Sequence, residues 1–305
     1  MKIVPSLPGE HLWSVAVRSI QSSGFLDDSV FNDMFALARF SLQPANGACK
    51  VTTRLAQRDE FAELLFSGTA YPLWLLNFDK PEQTAIEVQS EYFNRGRESQ
   101  LNMKASSWKY CACCAKEDRL RYGTSYWHIE HNLPFVTHCI QHGTPLSMFL
   151  GSRSLIATKM PHRLQVTDSV ETNVPHDLLE WSRFVVAIYK MICANHSSVL
   201  RLRNLIWDRF SLAPITVSGR KLYLRRLLEG LENMVPSNLL QMCFQFYSDK
   251  KRRKSNILYT TWKRDGIQIR HPVYMLIILF WLQCEGVSVI PDDYESPIAT
   301  GHSVI

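Results

Sequence analysis

Cys111, Cys114, Cys139 and His142 are the residues whose chemistry is most legible: Cys-x-x-Cys, 24 intervening residues, then Cys-x-x-His. Two close pairs at that separation form the pattern of a structural zinc site, because each pair sits on a tight turn and together they offer four ligands to one tetrahedral ion. Three thiolates and one imidazole close the coordination shell. The pattern therefore predicts a Zn2+ ion that holds the fold, with no open position for activating water. Cys113, His128 and His138 lie close in sequence and are spare ligand candidates.

Catalytic patterns are weaker. Glu130-His131-x-x-Pro134, inside the cysteine frame, is similar to the start of an HNH nuclease motif, in which His131 would be the general base. That chemistry also needs a downstream Asn and His to hold a metal on the scissile phosphate. No Asn occurs between Asn132 and Asn173, and the second pair ends in His142-Gly143. No glycine-rich loop ends in Gly-Lys-Ser or Gly-Lys-Thr, which excludes a phosphate-binding loop of that kind. Asp208, Glu229 and Glu232 show no metal-triad pattern and read as partners of nearby arginines, while His162, His176, His196 and His302 read as surface or packing residues. The expectation is a protein that is not an enzyme.

The elements that must position the ligand quartet are mostly helical. At 305 residues with 46% hydrophobic content, the chain can bury a substantial core in two or three small domains. Leu12, Val15, Ala16 and Ile20 recur at a helical period within Glu10 to Ser22, and Gly24 is the stop. Further helices are expected from Asp28 or Ser29 to Phe40, over Glu60 to Phe66 and over Pro81 to Tyr92. The pattern changes to short strands and knuckles between 104 and 150, with Thr124 to Ile129 reading as a strand and Phe135 to Thr137 leading into the second ligand pair. Helices resume at Asp177 to Asn195 and Val199 to Phe210, followed by a turn over Pro214 to Gly219 and a helix over Lys221 to Met234. In that last helix Leu222, Leu224, Leu227, Leu228 and Leu231 are expected mostly to pack inward.

Charge is concentrated in one region. Residues 201–270 hold 15 Lys and Arg against 5 Asp and Glu, a net of +10 in a chain whose total is +6. A surface of this kind suits phosphates, whose neutralisation releases condensed counterions. Arg220, Lys221, Arg225 and Arg226 crowd the start of the Lys221 to Met234 helix and make it a candidate DNA-reading element. Lys250, Lys251, Arg252, Arg253 and Lys254, followed by Lys263 and Arg264, make a candidate backbone clamp.

The opening Met-Lys-Ile-Val-Pro shows no signal-peptide stretch, and the longest apolar run, Pro272 to Leu282, is shorter than a membrane span. A cytoplasmic protein with reduced thiols and no membrane partner is expected, with Cys49, Cys193, Cys243 and Cys284 as ordinary core residues.

Lys109-Tyr-Cys-Ala-Cys-Cys114, Arg121-Tyr-Gly123, Tyr126-Trp127, Leu133-Pro134 and Cys139-Ile-Gln-His142-Gly143 with Leu146 resemble the signature of the TniQ/TnsD family of transposon target selectors. Leu7-Pro8-x-Glu10-x-Leu12-x-Ser14-x-x-x-Arg18, Ser218-Gly-Arg220 and Trp262 to Leu282 with His271-Pro272 fit the same family. The resemblance runs from the first residues to the last helix and departs at Ala112, where the family commonly has Pro. It implies a mainly α fold, in which helix-turn-helix-like helical domains flank a small zinc ribbon with short β-strands. The corresponding divisions are an N-terminal helical domain at 1–103, the ribbon at 104–150, a linker at 151–175, a basic DNA-binding-like helical domain at 176–286 and a tail at 287–305. It also implies a non-catalytic selector of a bacterial transposon that binds double-stranded target DNA in the TnsD manner and recruits the AAA+ ATPase TnsC and the transposase. The ATPase-facing surface would lie in residues 1–100, where Glu10 and Arg18 read as a structural pair. The alternative is a TniQ adaptor, often dimeric, that joins a CRISPR Cascade effector with its guide RNA to TnsC. A general DNA-binding regulator with a shape-giving zinc ribbon is a third reading.

Overall fold

The computed structural model describes residues 4–22, 24, 66–77, 101, 108–149, 160–164, 169–171, 174–214, 216–249, 257–262 and 271–291. The helices expected at Asp28 to Phe40 and Pro81 to Tyr92 lie outside the described residues, as do all of Glu60 to Phe66 except Phe66, Cys49, His302, Lys250 to Lys254, Lys263 and Arg264. The described part is mainly α-helical with one small sheet, and it divides into two units. One comprises the described residues up to 72 and from 108 to 186; the other comprises 73–77, 101 and 187–291.

In the first unit, helix α1 spans Leu12–Ser22 and ends where the sequence places a stop, with Gly24 at φ 77° and its N–H on the Gln21 carbonyl. That left-handed conformation is nearly free for glycine and costly for other residues. Leu12, Trp13, Val15, Ala16 and Val17 pack with Trp108, Trp127, Phe149 and Met160 into one core. Strand β1 (Lys109–Tyr110) pairs antiparallel with β2 (Ser147–Phe149), which pairs antiparallel with β3 (Ser169–Glu171).

Two expectations for this unit are overturned. Residues 112–122, within the segment expected to hold short strands and knuckles, form a helix, and Thr124 to Ile129 is not a strand. Its backbone instead stitches to the N-terminal segment: His11 N–H donates to the Trp127 carbonyl at 2.7 Å, Ile129 N–H to the Gly9 carbonyl at 2.9 Å, and Trp127 N–H to Ser14 Oγ at 3.1 Å. The aromatic residues that suggested a strand are there for burial, since Tyr126 and Trp127 are both in the core. β-propensity measures fit to a half-buried surface, and a tertiary neighbour can supply that surface without a ladder.

His11 links this packing to pH. It is 3% exposed, sits edge-on against Trp108 at 4.8 Å, and accepts from Trp13 N–H at Nδ1. Burial pulls its pKa from 6.5 to about 3. As pH falls, the unfolded chain takes up this proton first, so the contribution to stability is complete above 6.5 and is lost progressively toward 3. The loss is about 1.4 kcal/mol one pH unit below the unfolded value. The destabilisation by His11→Gln in thermal melts is therefore expected to be smaller at about pH 5.5 than at about pH 7.5; a gap independent of pH would refute it.

Helix α2 (Tyr71–Trp74) crosses the boundary between the units in sequence and leads into a 3-10 turn at Leu75–Asn77. Back in the first unit, α3 (Ala112–Tyr122) and α4 (Ile129–Asn132) carry site residues, and α5 (Leu178–Ala194) begins there and ends in the second unit. The second unit continues with α6 (Ser198–Ser211), α7 (Val217–Met234), α8 (Ser237–Cys243), α9 (Gln245–Ser248), α10 (Ile257–Trp262) and α11 (Val273–Cys284). Nine of the twelve residues of α11 are buried, and α6, α7 and α10 pack around it. Among the described residues no helix is long and apolar enough to cross a membrane. Cys243 is buried and Cys193 half-buried, but Cys284 is exposed at the end of α11, which corrects its expected place in the core.

Helix α7 starts at Val217, so Ser218, Gly219 and Arg220 belong to its first turn and not to the preceding loop. Thr216 caps it by accepting from Gly219 N–H at Oγ1. A Cβ on residue 219 would fall 2.7 Å from Thr216 Oγ1 and 2.9 Å from Pro214 Cβ, so the cap requires glycine. Leu224, Leu228 and Leu231 are buried, Leu227 is half-buried, and Leu222 is 52% exposed, because a position two residues before Leu224 falls on the opposite side of the helix from the apolar stripe.

Candidate metal centre

The metal-centre geometry begins at the register of β1 and β2. Tyr110 pairs with Ser147, which brings the residue after β1 beside the turn before β2. Cys111 occupies the cap position of α3 in an extended conformation, and Cys114 falls in the first turn of that helix. Cys139 and His142 sit on the second turn, closed by Gly143 N–H to the Cys139 carbonyl at 2.8 Å and by Cys139 N–H to the Thr144 carbonyl at 2.9 Å. Gly143 adopts φ 66°, the left-handed conformation that lets the chain reverse immediately after His142.

The ligand atoms of Cys111, Cys114, Cys139 and His142 all lie within 4.8 Å of one another. His142 Nδ1 stands 3.6, 3.3 and 3.5 Å from the sulfurs of Cys111, Cys114 and Cys139, and the last two sulfurs are 3.6 Å apart. These spacings suit the edges of a tetrahedron around one ion, and the donor set fits a metal of intermediate softness. The four residues could hold a metal ion.

Electrostatics agree with a cation site. Hydrogen bonding from Cys114, then from Cys139, holds the Cys111 thiol far below its ordinary range, whereas contact with Cys111 pushes Cys139 up to about 12 and Cys114 higher still. Three adjacent sulfurs cannot all ionise on their own, and a divalent cation relieves that repulsion. Burial opposes the charged form of His142, but Glu117 and the Cys111 sulfur together outweigh it and the net shift is upward. Glu117 Oε1 accepts from His142 Nε2 at 3.0 Å, which leaves the Nδ1 lone pair facing the sulfurs.

The structure places the spare candidates elsewhere. Cys113 is exposed. His128 stacks on Tyr126 and bonds through Nε2 to Asp118 Oδ2 at 2.9 Å, while His138 is buried and bonds through Nδ1 to Thr137 Oγ1. His131, required at the surface as a nuclease base, is 5% exposed, and burial lowers its pKa to about 3.

Several supporting residues had no decisive signal in the sequence. Lys109 is 4% exposed and donates from Nζ to the Leu133 and Val136 carbonyls, and burial draws its pKa down to about 7. Asn132 accepts from Lys109 N–H and donates to the Lys109 carbonyl, acting as a side-chain partner for β1. Ser182 Oγ accepts from the N–H groups of Thr137 and His138, and Trp181 Nε1 donates to the Phe135 carbonyl, so the first turns of α5 brace the segment before Cys139.

In the second unit, Lys221, Arg225 and Arg226 are exposed and Arg220 is half-buried along the first half of α7. Arg225 Nε meets Glu229 at 3.2 Å, an exposed pair of small energetic weight. Other basic residues of the same region face inward. Arg201 donates to the Val289 carbonyl, Arg203 is 5% exposed, and Arg209 grips Glu285 at 2.8 Å and covers the Trp281 ring at 5.1 Å.

No curated protein matches the chain. Residues 3–146, which hold Glu10, Arg18 and the whole Cys/His cluster, match the TniQ family model, so the chain carries a TniQ domain over that stretch.

Proposed function

We propose that this chain is a non-catalytic target-site selector of a bacterial transposon. In this reading it binds duplex DNA through α7 and the Lys250 to Lys254 segment and recruits the AAA+ regulator TnsC and the transposase. The observation that carries it is the TniQ match over residues 3–146, together with a Cys/His cluster whose shell would be closed around one ion. That ion is Zn2+: three thiolates and an imidazole at these spacings suit it, and its role is to fasten α3 to the 139–142 turn. The exposed Lys221, Arg225 and Arg226 support the DNA-facing role, since Arg201, Arg203 and Arg209 are engaged inside the fold and the other basic residues described within 201–270 lie on α7.

Selection of bound fragments from random duplex DNA by the zinc-loaded chain, at near-physiological salt, tests the site-reading role. Recovery of one motif supports a direct reader. Recovery of none overturns it in favour of an adaptor whose target is chosen by a guide complex. Charge removal is the milder check of the interface: Arg225→Ala with Arg226→Ala is expected to make the slope of log K against log salt shallower by about 2. An unchanged slope would remove α7 from the interface.

A further inference from the structure

His131 lies in the first unit on α4, 5% exposed, with its Nε2 3.8 Å from Cys114 Sγ. Its Nδ1 is buried with no hydrogen-bond partner. A neutral imidazole has one N–H and one lone pair. A proton on Nδ1 would leave a buried donor unanswered and point the Nε2 lone pair at a sulfur. A proton on Nε2 places the donor against the sulfur and leaves only an acceptor unmet, the cheaper arrangement.

We infer that His131 is a positioning residue of the metal centre, donating an N–H···S hydrogen bond from Nε2 to the Cys114 thiolate when the metal is bound. This rests on the metal-site assignment above. Three thiolates and a divalent cation carry a net charge of about −1, and such a charge needs donors when it is withdrawn from water. Cys111, Cys114 and Cys139 are at most 3% exposed, so water supplies few. Thr144 Oγ1, 3.6 Å from Cys111 Sγ, can donate to that sulfur. For Cys114, His131 supplies the corresponding N–H. Its ring is set by His128, whose ring centroid is 4.8 Å away and whose Nε2 is fixed on Asp118. His131 acts on a ligand and is not one, because the mutually close set comprises Cys111, Cys114, Cys139 and His142.

The test uses the full chain loaded with Cd2+ for NMR and with Co2+ for spectroscopy. In the wild-type Cd2+ form, proton–nitrogen correlations of the His131 ring are expected to show Nε2 protonated and Nδ1 bare. A proton on Nδ1 overturns the inference whether or not any variant folds. In the Co2+ form, His131→Leu is expected to bind metal about 10- to 100-fold more weakly by chelator competition. Its thiolate-to-cobalt charge-transfer band should shift while the four-coordinate ligand-field spectrum is kept. His131→Gln, which can still donate, should stay near wild type in both readouts. Equal behaviour of the two variants argues against the hydrogen bond, and loss of the four-coordinate spectrum in His131→Leu would make His131 a ligand and also overturn it. A wild-type chain that takes up neither ion would instead overturn the metal-site assignment, and the inference with it.

Discussion

Cys114→Ser is expected to lose the bound metal and most of the soluble yield together. Cys114 sits at the junction of both ligand pairs, 3.3 Å from His142 Nδ1 and 3.6 Å from Cys139 Sγ, and anchors the first turn of α3. The elements it joins have little else to hold them: α3 buries only Cys114, Ala115 and Asp118, and β1 is two residues long. Closure around zinc should therefore contribute on the order of 10 kcal/mol to this part of the fold. Elemental analysis and thermal melts with and without chelator check it. Cys113→Ser, at an exposed position in the same turn, is expected to keep both metal and melting temperature. A stable, metal-replete Cys114→Ser would sink the ligand assignment.

Arg18→Met is expected to destabilise the first unit by about 3–5 kcal/mol. Glu10 has a fully buried side chain whose Oε1 accepts from Arg18 Nε at 3.1 Å and whose Oε2 accepts from Leu7 N–H at 2.9 Å. Burial raises the Glu10 pKa and Arg18 opposes that rise, so removing the cation leaves a carboxylate in the core with too little to balance it. Arg18 is 12% exposed and also donates to the Pro5 carbonyl, which makes Glu10→Gln the milder change. Combining Glu10→Gln with Arg18→Met should recover much of the loss, and urea unfolding of the four forms of this cycle measures the coupling. Additive effects would show that the pair is not linked.

The pair also shows what a motif conveys. Glu10 and Arg18 are eight residues apart, on a segment and a helix whose start and glycine stop are legible from periodicity. Their pairing is nearly local. The ligand quartet is legible for a related reason: tight turns fix the spacing within each pair, and the chemistry of sulfur and imidazole fixes what such pairs are for.

Longer-range features were not legible. The charge excess of residues 201–270 suggested one basic surface, yet Arg201, Arg203 and Arg209 turn inward and only part of that charge stands on the face of α7. A side chain's sign does not say whether a carboxylate such as Glu285, 76 residues away, will claim it. Thr124 to Ile129 kept its β-type composition and lost its strand, because residues 9–14 arrived to bond it.

The sequence by itself determined the periodic helices, the glycine stop at 24, the ligand-type pairs and the family resemblance. All of these depend on residues within a few positions of one another or on residue chemistry alone. Only the tertiary structure decided that Glu117 orients His142, that His131 faces Cys114, and that His128 and His138 stand outside the cluster. Each of those outcomes is a contact or a separation in space, and periodicity and spacing carry no information about which distant side chains meet.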